Sequence, residues 1–283
     1  MIKKLCFAAI LFTLFLNISS TSLLTAKEAA TASDSSVLTW LKKQNEDMNP
    51  EKKTWTLKNF KNIKSLVLHS ENINDSDMKY IKCLTGLTKL DLGGTKITNK
   101  GLKALSALKS LEYLNVGNTK ITDEGLKDLA TLTSLKVLNL SETSITNEVN
   151  TGLFSLKNLT ELILHDTKIT DKGLKGISSL TSLTQLLVRK TLITDKGLAE
   201  LEGLTSLNVL SLGELNITDA GIEKLLSLTT LTYLGLYGTK ITDKAMTKLP
   251  ALKSLTTLNI SATKVSKKAR RAFSKESPKC HIH

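Results

Sequence analysis

The sequence predicts an α/β solenoid, a curved stack of coils with a parallel concave sheet and short convex helices, and three observations carry that expectation. The block Leu87-Thr-Lys-Leu-Asp-Leu-Gly-Gly-Thr-Lys-Ile-Thr-Asn-Lys-Gly-Leu returns, with changes, every 24 residues and without a slip in phase. Apolar residues occupy the same seven columns of each unit, in the second unit Leu87, Leu90, Leu92, Ile97, Leu102, Leu105 and Leu108. Aromatic residues make up only 4% of a chain that is 41% hydrophobic, so the core must be aliphatic.

The elements follow in chain order. Lys3 and Lys4 form a basic start, Leu5 to Leu16 an apolar run, and Ala26 or Ala32 a small residue at a cleavage site. That pattern predicts a secretory signal peptide over residues 1–26, with cleavage after 32 as the alternative. The run is too short to span a bilayer, and no later segment is apolar enough to anchor, so the exported chain is expected to have no integral membrane segment. Cys6 lies far ahead of the cleavage point, which excludes it as a lipid-modified first residue. Residues 33–62 read as an N-terminal cap. Ser36 to Gln44 suit an amphipathic helix with Val37, Leu38 and Leu41 on one side, and Trp55, Leu57 and Phe60 complete a half-repeat. Trp40 and Trp55 are assigned to cap packing.

Nine units then run from 63 to 278. Within each, Leu-x-Leu alternates apolar and variable residues, the period of a strand, and strands of successive units should stack in parallel. A threonine follows (Thr95, Thr119, Thr143, Thr167, Thr191, Thr239, Thr263), placed to offer its hydroxyl to backbone groups of the turn; Glu71 and Leu215 depart from that column. A second Thr or Ser, from Thr98 to Ser266, precedes an Asp or Asn such as Asp123 or Asp171 and signals a helix start. Gly101, Gly125, Gly173, Gly197 and Gly221 keep the first helical turn small where neighbouring coils approach. The apolar columns are broken only by Asn150 and, in the last unit, by Arg270 and Glu276, where an end-cap needs a polar outer face. Residues 279–283 keep phase, Ile282 falling in the Leu258 column, and read as the stub of a tenth strand closing a C-terminal cap.

With Leu-x-x-Leu-x-Leu as strand signature over three-quarters of its length, the chain resembles the leucine-rich-repeat family. The tail Ile-Thr-Asp-x-Gly-Leu is similar to short-helix repeats of bacterial exported members, although Thr stands where members often carry Asn or Cys. The resemblance implies a non-enzymatic module that binds a protein partner on its concave face, acts as a monomer and works in a secreted, periplasmic or cell-envelope setting. Stacked strands advance about 4.8 Å per unit, which puts Cys83 and Cys280 at opposite ends, too far apart to bridge.

Candidate binding residues follow from the outward strand columns. Tyr113, Val137, Ile163, Leu187, Val209 and Tyr233 have no core to fill and form an apolar stripe, the kind of surface that marks contact. Tyr237, His165 and Arg189 complete the candidate partner site, beside a mixed-charge rim of Glu142, Asp166, Lys190 and Glu214 suited to orienting a protein. Glu161, His165 and Asp166 lie on one strand without a nucleophile, and the sequence has neither a phosphate-binding glycine loop nor a metal signature, so no cofactor and no catalysis are expected. His281 and His283 share a face, but only Thr257 and Asn259 stand beside them, which leaves a metal without a third ligand.

The net charge of +13 concentrates in the last unit and tail. Lys267, Lys268, Arg270 and Arg271 are therefore the alternative site, a contact with anionic polymer or lipid in an envelope-associated structural protein. The concave columns are not basic, which disfavours nucleic acid there.

Overall fold

In the computed structural model, the structure describes residues 34–43, 62–68, 72–148 and 152–283. The expected signal peptide, the half-repeat of Trp55, Leu57 and Phe60, and the departures at Glu71 and Asn150 lie outside the described residues. Residues 34–43 form one helix of the N-terminal unit, in which Val37, Trp40 and Leu41 are buried and Leu38 half-buried. The second unit, 62–283, holds the repeats.

Ten short strands form a single parallel sheet in sequential order: β1 (Ser65–Val67), β2 (Lys89–Asp91), β3 (Tyr113–Asn115), β4 (Val137–Asn139), β5 (Glu161–Ile163), β6 (Gln185–Leu187), β7 (Val209–Ser211), β8 (Tyr233–Gly235), β9 (Thr257–Asn259) and β10 (His281–Ile282). Each residue pairs with the one 24 positions on, as Leu138 with Leu162, so sequence phase is sheet register. The expected tenth-strand stub is present: His281 pairs with Thr257 and Ile282 with Leu258.

Central leucines such as Leu114, Leu138, Leu162 and Leu186 are fully buried, and the other apolar columns stack behind them. One coil has no interior of its own; its apolar face is covered by the coils before and after it. The buried threonines satisfy the turn as their spacing suggested. Thr119 Oγ1 donates to the Val116 carbonyl at 2.6 Å and Thr167 Oγ1 to that of Leu164 at 2.8 Å.

The helix side contains a coupling that the cap motif only hinted at. At eight successive junctions an Asp or Asn accepts the backbone N–H of the Thr or Ser 23 residues later, from Asp75 with Thr98 to Asp243 with Ser266. In most of these the hydroxyl donates to the same carboxyl or amide group, as Thr194 Oγ1 does to Asp171 at 2.7 Å. The capping residue of one coil is thus tied to the first helical residue of the coil before it. Gly125 shows why the following column is small: a Cβ there would stand 2.6 Å from Asn99 Oδ1 and 2.9 Å from Leu102 Cδ1.

The convex element is not uniform. Asn99–Leu105, Asp123–Leu129, Asp219–Leu225, Asp243–Lys248 and Lys267–Glu276 are α-helical, whereas the fifth and sixth units have 3-10 turns at Asp171–Leu174, Ile177–Ser179 and Gly197–Leu201. Gly176 causes the break in the fifth unit, because at φ 90° it leaves the helical basin for a region where a side chain is strained. Cys83 and Cys280 are free and lie in the first coil and beside the last strand.

Candidate functional site: the outer face of the sheet

Strand alternation puts two side chains of each strand outward, so the face carries two parallel rows. One runs Tyr113, Val137, Glu161, Gln185, Val209, Tyr233; the other runs Asn115, Asn139, Ile163, Leu187, Ser211, Gly235. The expected single apolar stripe is therefore staggered. Ile163 and Leu187 are direct neighbours in the second row, while Tyr113 with Val137 and Val209 with Tyr233 are pairs in the first. All six side chains are half-buried, since parallel neighbours cover one another.

The second row shows what sequence columns alone did not. In the second, third, fourth and ninth units its residue is Asp91, Asn115, Asn139 or Asn259, whose side-chain oxygen accepts the N–H two residues on, at 3.0, 2.9, 2.9 and 3.1 Å. These bonds fix the strand's exit. Asn115 Nδ2 also donates to Asp91 Oδ1 at 2.9 Å, linking adjacent coils. Ile163 and Leu187 have no acceptor, so the fifth and sixth coils give up this rung, worth about 1 kcal/mol each.

Two residues past that row, His165 and Arg189 replace the Gly or Ser of other units. His165 Nδ1 accepts the Arg189 backbone N–H at 3.1 Å, which requires the neutral ring with its proton on Nε2. Burial first, and then the Arg189 charge, push the imidazole below its ordinary value, against an opposing pull from Asp166. Arg189 lies between Asp166 at 3.9 Å and Glu214 at 3.7 Å, and Lys190 reaches Asp166 at 3.7 Å. Glu142, Asp166, Lys190 and Glu214 all adopt left-handed backbone with φ between 51° and 61°, where the second and eighth units place Gly94 and Gly238. Each such non-glycine residue costs about 1 kcal/mol.

At the ends of the patch, Lys89 Nζ stands 4.8 Å from the Tyr113 ring centre. Burial, then Asp91 and Glu161, raise the Tyr113 phenol. Tyr233 lies over Gly235, where a Cβ would meet its Cε1 and hydroxyl at 3.2 Å, and Tyr237 is 41% exposed. Leu192, 61% exposed, escaped the sequence reading. It stands in the column of Lys96, Lys120, Lys168 and Lys240, so comparing columns would have found it.

Of the C-terminal cations, Lys267, Lys268 and Arg271 are exposed. Arg270 differs: it is half-buried, and its Nη2 donates to the Ile260 carbonyl at 3.2 Å, covering the end of the core.

A stack of identically wound coils, tied rung by rung and presenting a variable sheet face, defines a repeat scaffold. The family model described as a leucine-rich repeat region matches residues 62–224, more than half of the chain, and the protein belongs to the leucine-rich-repeat family. Among solved structures the chain is similar to internalin C2 of Listeria monocytogenes, at 22% identity and TM-score 0.51, covering 87% of this chain and 91% of that one. A TDR receptor matches at 15% identity and TM-score 0.52, covering 78% of this chain and 42% of the receptor. A leucine-rich-repeat protein of Leptospira interrogans matches at 22% identity and TM-score 0.44, covering 72% of this chain and 62% of its own. No curated protein sequence matches the chain.

Proposed function

We propose that this chain is an exported interaction module, without catalytic chemistry of its own, that holds a protein partner on the outer face of its sheet around Ile163 and Leu187. One observation carries the reading: the face loses structural hydrogen bonds where it gains aliphatic side chains. Strand propensity would favour Ile or Leu in any unit, yet most other described units spend that column on polar or small residues. A scaffold acting alone gains nothing from the exchange, whereas a contact surface does. His165, Arg189, Tyr233, Tyr237, Tyr113, Val137 and Val209 surround this centre, and the strained charges beside it supply an orienting rim.

Family membership agrees, since leucine-rich-repeat proteins commonly mediate protein–protein interaction. Export rests on Lys3, Lys4 and the apolar run that follows. Among the described residues no helix is long and apolar enough to cross a membrane.

The test is a photo-crosslinking side chain at Leu187, compared with one at Lys127 on the helix side. The Leu187 probe should trap a discrete protein that the Lys127 probe does not. The pair Ile163→Asn and Leu187→Asn should then abolish capture while the fold persists. Capture undiminished by that pair would falsify the reading.

A further inference from the structure

The last two repeats hold a second surface that a sheet-face site does not use. Lys240 and Lys264 occupy the same column of adjacent coils, and their N–H groups bond the preceding coil in the same way, Lys240 to Ile217 O and Lys264 to Ile241 O. Their backbones are therefore about one strand spacing, 4.8 Å, apart. Lys244 and Lys268 stand in a second matched column, and Lys267 and Arg271 extend it along the terminal helix Lys267–Glu276. All six are exposed.

None of the six takes part in an ion pair among the described residues. The carboxylates interleaved with them are already engaged. Asp219 accepts from Thr242 N and Oγ1 at 2.8 and 2.6 Å, and Asp243 from Ser266 N and Oγ at 2.7 Å each. The cations thus form rows along the stacking direction with their anionic neighbours committed elsewhere.

We propose that these rows bind a linear polyanion bearing sulfate or phosphate groups. A bilayer is the less suitable occupant, because surface helices that enter lipid present an apolar face. Here Phe273, Met246 and Val265 are all buried, and the exposed large hydrophobic residues, Val67, Leu192 and Tyr237, lie in other coils. Single-stranded nucleic acid is likewise disfavoured, since the rows offer no exposed aromatic ring for a base to stack on. A flexible chain of regularly spaced anions needs only what is present, repeated cations on a rigid pitch.

Size-defined heparin and inorganic polyphosphate, titrated against the whole chain over a series of salt concentrations, test this and separate sulfate from phosphate. The triple variant Lys264→Gln, Lys268→Gln, Arg271→Gln should weaken binding about tenfold or more and lower the slope of log affinity against log salt by about two to three. The triple variant Lys120→Gln, Lys127→Gln, Lys175→Gln, with the same change in net charge, should stay within about twofold of the parent. Circular dichroism reports whether both remain folded. Equal weakening by the two triples, no binding of either polymer near 0.1 M salt, or tighter binding to phosphatidylserine vesicles than to polymer would each overturn the proposal.

Discussion

The two faces of each coil use the same bonding device, and they treat it differently. On the helix side a carboxylate or amide oxygen accepts a backbone N–H at eight consecutive junctions. On the sheet face the equivalent rungs from Asp91, Asn115 and Asn139 stop after the fourth unit and return only at Asn259. A structural bond kept everywhere on one face and released over a stretch of the other separates what holds the stack together from what is free to vary. The released stretch carries Ile163, Leu187, His165 and Arg189.

Substitutions that sharpen this contrast should fall in a definite order. Leu162→Ala, beneath the released rung, should cost about 3 kcal/mol in chemical denaturation, because a fully buried leucine leaves a cavity in a core shared by three coils. Asp195→Ala removes both acceptors of Thr218 and should cost about 2 kcal/mol. If it proved neutral, the helix-side rungs would not be what couples the coils. Gly176→Ala should cost about 1 kcal/mol from backbone strain alone. The pair Ile163→Asn and Leu187→Asn should stay within about 1 kcal/mol of the parent, as regained rungs offset lost apolar contact. A large loss there would mean that the two aliphatic residues serve the scaffold.

The smallest effect concerns pH. His165 is held below its ordinary value near 6.5, chiefly by burial. The unfolded chain therefore takes up the proton first, so its contribution is complete above pH 6.5 and declines as pH falls below that value. Nuclear magnetic resonance titration should show this imidazole titrating below 6.5, and His165→Gln should flatten the corresponding part of the stability profile.

Much of the fold was legible because a fixed period turns a one-dimensional pattern into a three-dimensional neighbourhood. Leu114, Leu138 and Leu162 share a column and therefore a sheet row, and Thr119 needed only its own turn to find a partner. The helix-side rungs were not legible, since the partner of Asp171 is 23 residues away and a cap motif accounts for Thr194 without it. The candidate site was half legible. Its residues could be named, but not that Val137 and Ile163 stand in different rows, nor that Arg270 turns inward. The change from α to 3-10 turns depended on one glycine adopting φ 90°, a choice that sequence permits without requiring.

Strictly sequential strand order has a consequence for how the molecule comes apart. Every described strand pairs only with the strand before it and the strand after it, so ordering can spread along the chain like a zipper, each coil templating the next. Unfolding should begin as fraying of terminal coils, and hydrogen exchange should be slowest in the middle of the stack. The patch around Ile163 and Leu187 sits in that most protected stretch, where a surface stays in shape even while the ends breathe.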